Sequence, residues 1–182
     1  DAWAVSRTLA ECQRAALDVL RFCREHLPGY ENCRLGPLPT LLGTRESRRI
    51  IGRATLTRDD VVNAVKSPDA VARGAFWIDF HDSPPGTTLP YPDDYVRATR
   101  PAEGDWYDIP YGCLLPREIG GLLVAGRCIS SDRSAQASLR IMPTCFYIGA
   151  AAGAAAALAA REGTAPDKLD PERVRECVGR LG

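Results

Sequence analysis

The arginine-rich segment 44–49 is the first stretch of the chain whose side chains could do chemistry. It reads T-R-E-S-R-R, and so many charges are too costly to bury in a solvent-free core. Arginine is permanently charged and can form two parallel hydrogen bonds to a carboxylate. The cluster is therefore a candidate binding site for an anionic or carbonyl group of a substrate. A solvated turn with local ion pairs explains the same residue types.

A second candidate group lies around His81, one of two histidines in the chain. Residues 76–81 read F-W-I-D-F-H, and the alternation predicts a strand with the apolar, even-numbered residues on one face. Asp79 and His81 then share the other face. A carboxylate beside an imidazole raises the imidazole pKa and prepares it as a general acid or base. A histidine that is only hydrogen-bonded at a strand end is the competing interpretation.

The third candidate group is a strand, a glycine turn and a helix within residues 121–161. The apolar run 122–125 has the length of a buried strand, and we expect a side chain at Gly126 to obstruct a neighbouring group. Pro143 favours the first turn of a helix, and residues 149–160 hold two glycines, nine alanines and one leucine. Another backbone or a flat ligand can approach such a surface closely. With the free N–H groups of the helix start, the arrangement predicts an anion or cofactor site.

Several stretches of this sequence resemble the C-terminal FAD-binding segment of the FAD-dependent oxidoreductases. They are I-P-Y-G-C-L-L-P, G-L-L-V-A-G-R-C-I-S, A-x-x-S-L-R-I-M-P-T-C and G-A-A-A-G. The resemblance extends upstream through G-T-R-E-S-R-R-I at 43–50 and W-I-D-F-H at 77–81, so it covers most of the chain. One position departs from the family pattern, because Ala150 stands where the family usually has glutamine after the first helix glycine.

The resemblance implies a glutathione-reductase-like flavoprotein fold of two domains, with FAD as the cofactor. In such proteins the strand, turn and helix close over the isoalloxazine end of FAD, while an N-terminal βαβ unit binds the ADP end. The resemblance also strengthens Arg45 and Arg48 as catalytic residues on the substrate side, beside His81. The residues it places around the cofactor are Gly126, Arg127, Cys128, Ile129, Ser130, Arg140, Met142, Pro143, Thr144, Gly149 and Gly153.

The function predicted from this resemblance is hydride transfer between a small-molecule substrate, or a nicotinamide, and N5 of the flavin. The positive end of the helix at Pro143 would stabilise negative charge around N1 and the C2 carbonyl of the reduced ring. Cys128 and Cys145 are too far apart in sequence for the closely spaced dithiol of a disulfide reductase. Two alternatives remain: a non-catalytic subunit completed by a separate ADP-binding chain, and a small α/β binding module without a cofactor.

The fold class predicted from the sequence is α/β, with α+β character in the substrate part, as the C-terminal portion of a two-domain flavoprotein fold. Residues 1–106 are predicted to be the substrate-side portion with a long N-terminal helix, and residues 107–182 the closing segment of the FAD-binding domain. No G-x-G-x-x-G occurs and Met142 is the only methionine, so we expect the N-terminal ADP-binding half elsewhere, fused or on a separate chain. This chain alone is then expected to be inactive and to bind FAD poorly.

Composition excludes several other classes of function. Lysine plus arginine and aspartate plus glutamate number 23 each, which leaves no basic footprint for nucleic acid. The seven cysteines form no C-x-x-C pair, which argues against a zinc site and a disulfide framework and favours reduced thiols in the cytoplasm. The uncharged stretch between Arg140 and Arg161 is short for a membrane span once Pro143 starts the helix, so we expect a buried helix.

The elements that position these candidates follow from periodicity and turn residues. Apolar residues spaced by three and four predict an amphipathic helix over about residues 2–27. Residues 34–56 are predicted to form two strands in a hairpin or meander. Thr57 begins a loose capping box for a short helix.

The second half of the chain is punctuated by proline and glycine. Residues 82–116 are rich in proline and aromatic residues, so we expect an ordered excursion over the substrate side that returns through a strand near 107–111. Gly163 is predicted to end the long helix, and Asp170 to cap a last helix that begins at Pro171.

Overall fold

The computed structural model describes residues 1–80 and 92–179. His81, one of the predicted catalytic residues, therefore lies outside the described residues. The chain divides into two compact units, Asp1–Thr44 and Arg45–Gly182. Every other predicted site residue belongs to the second unit.

The first unit is built on a long helix, α1, Ala2–His26, which confirms the predicted amphipathic helix. Asp1 caps its start by accepting a hydrogen bond from the Trp3 N–H at 3.0 Å. The chain that follows α1 forms no regular element. Its backbone is tied to the helix where the Arg24 guanidinium donates two hydrogen bonds, of 2.9 and 2.7 Å, to the Cys33 carbonyl. None of the α1 side chains is buried.

Residues 34–56 form no strand, so the predicted hairpin or meander is wrong. The described pairing of this segment is limited to isolated bridges, Gly52 with Pro116 and Leu56 with Ser131. The physical reason is that the apolar residues of this segment do not alternate and are interrupted by the arginine cluster. The segment therefore offers no continuous apolar face to bury against a sheet.

A short helix, α2, spans Arg58–Val62 and begins with the predicted capping box. The Asp60 N–H donates to Thr57 Oγ1 at 3.3 Å, and the Thr57 N–H donates to the Asp60 carboxylate at 2.8 Å. Two N–H groups that the helix start leaves free are thus satisfied reciprocally. The prediction is confirmed because this motif needs only residues that are neighbours in sequence.

A two-stranded antiparallel sheet pairs β1, Ala70–Gly74, with β2, Tyr107–Pro110. The second strand confirms the predicted strand near residue 107, whereas the first was not predicted. Gly74 lies opposite Tyr107, and a Cβ on Gly74 would lie 2.3 Å from Cζ of the tyrosine ring. The sheet joins strands from both sides of residue 106, where we predicted a domain boundary, and that boundary stays a prediction.

Residues 76–80, the described part of the predicted strand 76–81, form no strand, so this prediction is wrong for them. Their backbone groups find partners on other elements instead. The Ile78 N–H donates to the Thr99 carbonyl at 3.0 Å, and Ser138 Oγ donates to the Phe76 carbonyl at 2.6 Å. Alternation of side chains alone did not reveal that this backbone has no strand partner.

The aromatic-rich stretch contains regular structure in its described part. A helix, α3, spans Asp93–Ala98 and is followed by β2 and by a 3-10 turn at Tyr111–Leu114. The hydroxyl of Tyr95 donates to the Ile78 carbonyl at 3.1 Å, and the Tyr111 hydroxyl donates to the Pro166 carbonyl at 2.8 Å. These aromatic side chains therefore link separate parts of the second unit.

Three further helices complete the second unit. They are α4, Arg133–Leu139, α5, Met142–Glu162, and α6, Pro171–Gly179. The predicted limits of α5 are confirmed, since Pro143 lies in its first turn and Gly163 ends it in the left-handed conformation with φ of 62°. The start of α6 is also confirmed, because Asp170 Oδ1 accepts the Glu172 N–H at 2.9 Å.

The apolar run 122–125 is not a strand, so that prediction is wrong. The Val124 N–H donates a hydrogen bond to the Leu114 carbonyl at 2.9 Å, and Leu123 and Ala125 pack against the core. A short 3-10 turn, Gly126–Cys128, follows it and packs against α5. The run has strand-like composition, but a strand requires a continuous hydrogen-bonded neighbour.

The core of the second unit lies where α5 meets the sheet and α6. Among its fully enclosed members are Leu56, Val61, Tyr107, Ile109, Leu114, Ile129, Leu139, Ile148, Ala155 and Val174. By length and composition alone α5 could cross a membrane, with a mean hydropathy of 1.4. One of its faces is nevertheless built into this core, which is the placement that the sequence predicted. The second unit is a mixed α/β structure with a small sheet.

Candidate functional site

The start of α5 leaves its backbone N–H groups without a side-chain cap. Ile141 occupies the N-cap position, and no described side chain accepts a hydrogen bond from the first turn. The first four N–H groups of a helix lack partners within the helix, and together they carry about half a positive charge. The beginning of α5 can therefore stabilise a negatively charged or carbonyl group of a ligand.

The 3-10 turn Gly126–Cys128 packs against α5. Gly126 has a φ of 72°, which favours glycine. A Cβ there would meet nothing within 4 Å. Glycine is therefore required by the backbone conformation, and our expectation that a side chain would obstruct a neighbour is wrong within this chain.

Cys145, in the first turns of α5, interacts electrostatically with this turn. Burial raises the pKa of the Cys145 thiol, and the positive charge of Arg127 opposes the increase. The negative charge that Cys128 would carry as a thiolate adds to the increase. Cys128 and Cys145 are far apart in sequence, but the fold brings them close enough to interact electrostatically.

Ile129 and Ser130 face the interior of the protein. The Ile129 side chain is part of the core, and the Ser130 hydroxyl lies 2.9 Å from the hydroxyl of Thr55. A Cβ at Gly52 would lie 2.6 Å from the Ser130 Cβ, so the backbones cross closely here. Both side chains fix the turn, and a cofactor contact from this pair would come through the backbone.

Arg140 is used to position a neighbouring segment. Its Nη2 donates to the Asp79 carbonyl at 2.6 Å, close to the end of the described stretch before His81. The arginine lies immediately after α4 and just before the start of α5. It therefore connects the predicted cofactor side with the backbone that leads to the predicted catalytic histidine.

Gly149 and Gly153 lie on the exposed side of α5. A Cβ on either glycine would meet nothing within 4 Å, so our expectation that they pack against the run 122–125 is wrong. Met142 and Phe146 share this side of the helix and are 72% and 71% exposed. We call this strip, formed by Met142, Phe146, Gly149 and Gly153, the outer face of α5. Its side chains are large and apolar near the helix start, and the two glycines make it flat beyond that.

The arginine cluster is held by one backbone and one side-chain contact, and two of its guanidinium groups lie at the surface. Gln136 Nε2 donates to the Arg45 carbonyl at 2.9 Å, and Arg49 Nε donates to the Ser131 carbonyl at 3.0 Å. Arg45 and Arg48 are both exposed. Their predicted convergence with His81 stays a prediction, because the histidine lies outside the described residues.

Two buried polar atoms beside this cluster have no hydrogen-bond partner among the described residues. They are Oε1 of Gln136 and Oγ of Ser131. Buried side-chain oxygens are normally paired. The two residues that contact Arg45 and Arg49 therefore each keep one side-chain oxygen without a hydrogen bond in the described part of the chain.

Sequence reasoning missed a cavity of about 570 Å³ at the start of α5. Its walls include Phe76, Trp106, Ile141, Pro143 and Tyr147, from three separate segments. No motif or spacing signals this cavity, because its residues meet only after β1, β2 and α5 have packed together. Metal-binding chemistry finds no support in the described parts of the chain, which hold no cluster of three or more histidine, cysteine or acidic residues.

An uncapped helix start, a positive-φ glycine turn packed against it and an open glycine-containing face are features of a cofactor-binding α/β protein. The comparison with protein-family models identifies the class further: the FAD dependent oxidoreductase model matches residues 1–178. This chain belongs to that family, and its cofactor is FAD. No curated protein and no solved structure matched the chain significantly.

The described residues fit the ring end of FAD. The start of α5 offers free N–H groups, and its outer face has two positions where a flat group meets no side chain. The pyrophosphate end is different, because the sequence contains no G-x-G-x-x-G turn. The fit therefore concerns the isoalloxazine part of the cofactor.

Proposed function

We propose that this chain supplies the isoalloxazine end of an FAD site and part of the substrate side of an oxidoreductase. The observation that carries the proposal is the uncapped start of α5 beside the turn Gly126–Cys128. When bound, the flavin would supply hydride transfer at its N5 atom. The protein's part is to hold, orient and shield the ring and to bind the substrate.

In this proposal the start of α5 faces the pyrimidine end of the ring. Its free backbone N–H groups are those of Met142 and Thr144, because Pro143 between them has no N–H. Both groups lie at the positive end of the helix dipole. Positive potential there favours the reduced, negatively charged form of the cofactor. Gly149 and Gly153 would let a flat group or another backbone lie against the outer face.

The substrate side is proposed to lie at the arginine cluster. The exposed guanidinium groups of Arg45 and Arg48 suit an anionic or carbonyl group of a small molecule. The hydrogen bond from Arg140 to the Asp79 carbonyl supports a fixed position for the chain before His81, the proposed acid or base.

The ADP half of the cofactor is proposed to bind elsewhere. The absence of a G-x-G-x-x-G turn from these residues supports an N-terminal FAD-binding half, either fused or on a separate chain. The exposed outer face of α5 supports the same idea, because such apolar surface is unfavourable in water.

The decisive experiment measures flavin content. The protein is purified with its ADP-binding half, its absorbance spectrum is recorded, and the released cofactor is identified. Gly153→Leu should lower the flavin content without lowering stability, because a side chain there meets nothing within this chain but would enter the space proposed for the cofactor or the missing half. Gly36→Leu is the control, since a Cβ at that position also meets nothing within 4 Å.

Two outcomes would contradict the proposal. A colourless protein that takes up no flavin would favour a binding module or a non-catalytic subunit. A Gly153→Leu protein with full flavin content would show that the outer face of α5 is not the cofactor side.

The proposed substrate side has its own test. In the flavin-loaded protein, Arg48→Lys should impair turnover while flavin content is retained, because lysine cannot reproduce a two-point contact with a carboxylate. The exposed Arg58, on α2, provides the matched control as Arg58→Lys. Equal turnover of the two variants would remove Arg48 from the catalytic residues.

A further inference from the structure

The cavity at the start of α5 has the size and lining of a small-molecule site. Its volume of about 570 Å³ lies within the range of roughly 300–1,000 Å³ that is usual for ligand pockets. Flat or apolar walls come from Phe76, Trp106 and Tyr147, with Ile141 and Pro143 beside them. We call it the Trp106 cavity. Two of its lining residues, Pro143 and Thr144, belong to the helix start proposed for the flavin, and the others were not part of that proposal.

The cavity and the proposed flavin surface lie on different sides of α5. Successive residues of an α-helix are about 100° apart, which separates Thr144 and Tyr147 from the outer-face residues Phe146 and Gly153. The cavity is lined by the first pair and not by the second. A ligand here would therefore leave the outer face of α5 open and share only the helix start with the proposed flavin site.

The ring of Trp106 is fixed before any ligand binds. Its Nε1 donates a hydrogen bond to Asp108 Oδ1 at 3.0 Å. Lys66 Nζ and Arg73 Cζ lie 4.8 and 4.4 Å from the ring centroid, which are cation–π distances. A pre-positioned aromatic wall favours a planar ligand, because no side-chain ordering is needed on binding.

Both carboxylates near the cavity are already paired with cations. Asp105 lies 2.7 Å from Lys66 Nζ, and the hydrogen bond from Lys66 holds the pKa of Asp105 below its ordinary value. Asp108 lies 3.6 Å from Arg73 Nε and also accepts the Ser67 N–H at 3.0 Å. The charges of these two cations and two carboxylates cancel. The positive end of the α5 dipole therefore leaves a net positive potential at the cavity.

Two hydroxyls on the cavity wall make no hydrogen bond among the described residues. Thr144 lines the cavity and is 4% exposed, and its hydroxyl makes no hydrogen bond among the described residues. The Tyr147 hydroxyl, also on the cavity wall, likewise has no described partner. Two free hydroxyl donors at a helix start match the acceptor oxygens of an anion.

We propose that the Trp106 cavity binds a small molecule that combines a flat ring with one anionic group such as a carboxylate. The ring lies against Trp106 and Phe76. The anionic group lies at the start of α5, where Thr144, Tyr147 and the exposed guanidinium of Arg73 converge on the cavity. The proposal does not depend on whether the flavin binds. It differs from the arginine cluster, which was assigned only an anionic or carbonyl group, because the cavity also requires a flat ring.

Calorimetric titration with three probes tests the ligand class. Phenylacetate has both features, phenylacetamide keeps the ring without the charge, and acetate keeps the charge without the ring. Phenylacetate should bind the protein about tenfold or more tightly than either, since a hydrogen bond to a charged group contributes that much more than one to a neutral group. Equal affinity for phenylacetate and phenylacetamide, or no binding of phenylacetate, would overturn the proposal.

Variants locate the binding to this cavity. Thr144→Val and, separately, Arg73→Gln should each weaken phenylacetate binding about tenfold. Phenylacetamide binding should stay unchanged in Thr144→Val, whereas Arg73 also holds the Trp106 ring. Arg161→Gln, in the last turn of α5, is the control and should change neither. Tyr147→Phe, at a residue 59% exposed, provides a variant that does not depend on refolding of the core. Phenylacetate affinity unchanged in all three cavity variants would place the binding elsewhere.

The same titrations separate this proposal from the flavin proposal. They are repeated on protein with and without bound flavin, while flavin content is read from the absorbance spectrum. Selective phenylacetate binding by a protein that takes up no flavin supports the cavity and contradicts the oxidoreductase site. A flavin-loaded protein that binds the three probes with equal affinity supports the flavin site and contradicts the cavity proposal.

Discussion

The two long helices of this protein differ in sequence pattern and in burial. Helix α1 has a clear apolar face, yet none of its side chains is buried within the described residues. Helix α5 consists largely of alanine and glycine, and seven of its residues are buried. An amphipathic pattern shows which face a helix can bury. How deeply it is buried depends on what packs against it, and small side chains allow the closest approach.

The largest expected difference between the two helices is the cost of truncating a side chain. Ile148→Ala removes a fully enclosed α5 side chain and should lower the free energy of unfolding by about 2–5 kcal/mol. Val19→Ala in α1, at a side chain 61% exposed, should change it by less than about 0.5 kcal/mol. Urea unfolding followed by circular dichroism measures both. Equal costs would show that α1 is as tightly packed as α5.

The next effect concerns the sheet beneath α5 and appears at high pH. Burial raises the pKa of Tyr107 from 10.0 to about 12, so the folded state favours the neutral hydroxyl. This contribution is complete below pH 10 and is lost as the pH rises through about 12, which amounts to about 2–3 kcal/mol for a shift of this size. Burial raises the pKa of Cys113 to about 12 as well, which adds to the alkaline loss.

Unfolding free energies between pH 8 and about pH 12 measure this loss. Tyr107→Phe should reduce the alkaline slope, at the cost of the hydrogen bond to Ser138. Tyr30→Phe, at an exposed residue of the first unit, should leave the slope unchanged. A Tyr107→Phe slope identical to that of the unmodified protein would show that other groups cause the alkaline loss.

Two glycines sharpen the same comparison. Gly74→Ala places a Cβ 2.3 Å from the Tyr107 ring and should lower the free energy of unfolding by about 1–3 kcal/mol through overpacking. Gly36→Ala in the first unit meets nothing within 4 Å and should be close to neutral. Thermal unfolding of the two variants is the measurement. A Gly74→Ala protein of full stability would mean that the sheet can shift to accept the methyl group.

The smallest expected effect is a gain in stability on the outer face of α5. Gly153→Ala should raise the free energy of unfolding by about 0.5–1 kcal/mol, because alanine favours the helix and the position is open. Ala15→Gly, at an exposed position of α1, is the reverse change and should lower stability by a similar amount. A loss of stability in Gly153→Ala would show that this glycine is packed against another group.

Local rules predicted the elements that depend on neighbours in sequence. The limits of α1, the capping box at Thr57, the first-turn Pro143 and the glycine end of α5 at Gly163 all follow from side-chain periodicity or from contacts within one helical turn. The strands were predicted less well. The runs 34–56, 76–80 and 122–125 carry strand-like residues, but a strand exists only where a second backbone pairs with it. The sequence does not show which backbone that is.

The sequence by itself determined the family, the cofactor and the helix that has Pro143 in its first turn, because motif residues and helix signals are local. It also identified Gly126 as a turn residue, although for a different reason than its positive φ. Only the tertiary structure decided that Gly149 and Gly153 face outward and that Cys145 lies near Cys128. The Trp106 cavity likewise exists only after packing, since β1, β2 and α5 come together through contacts between residues far apart in the chain.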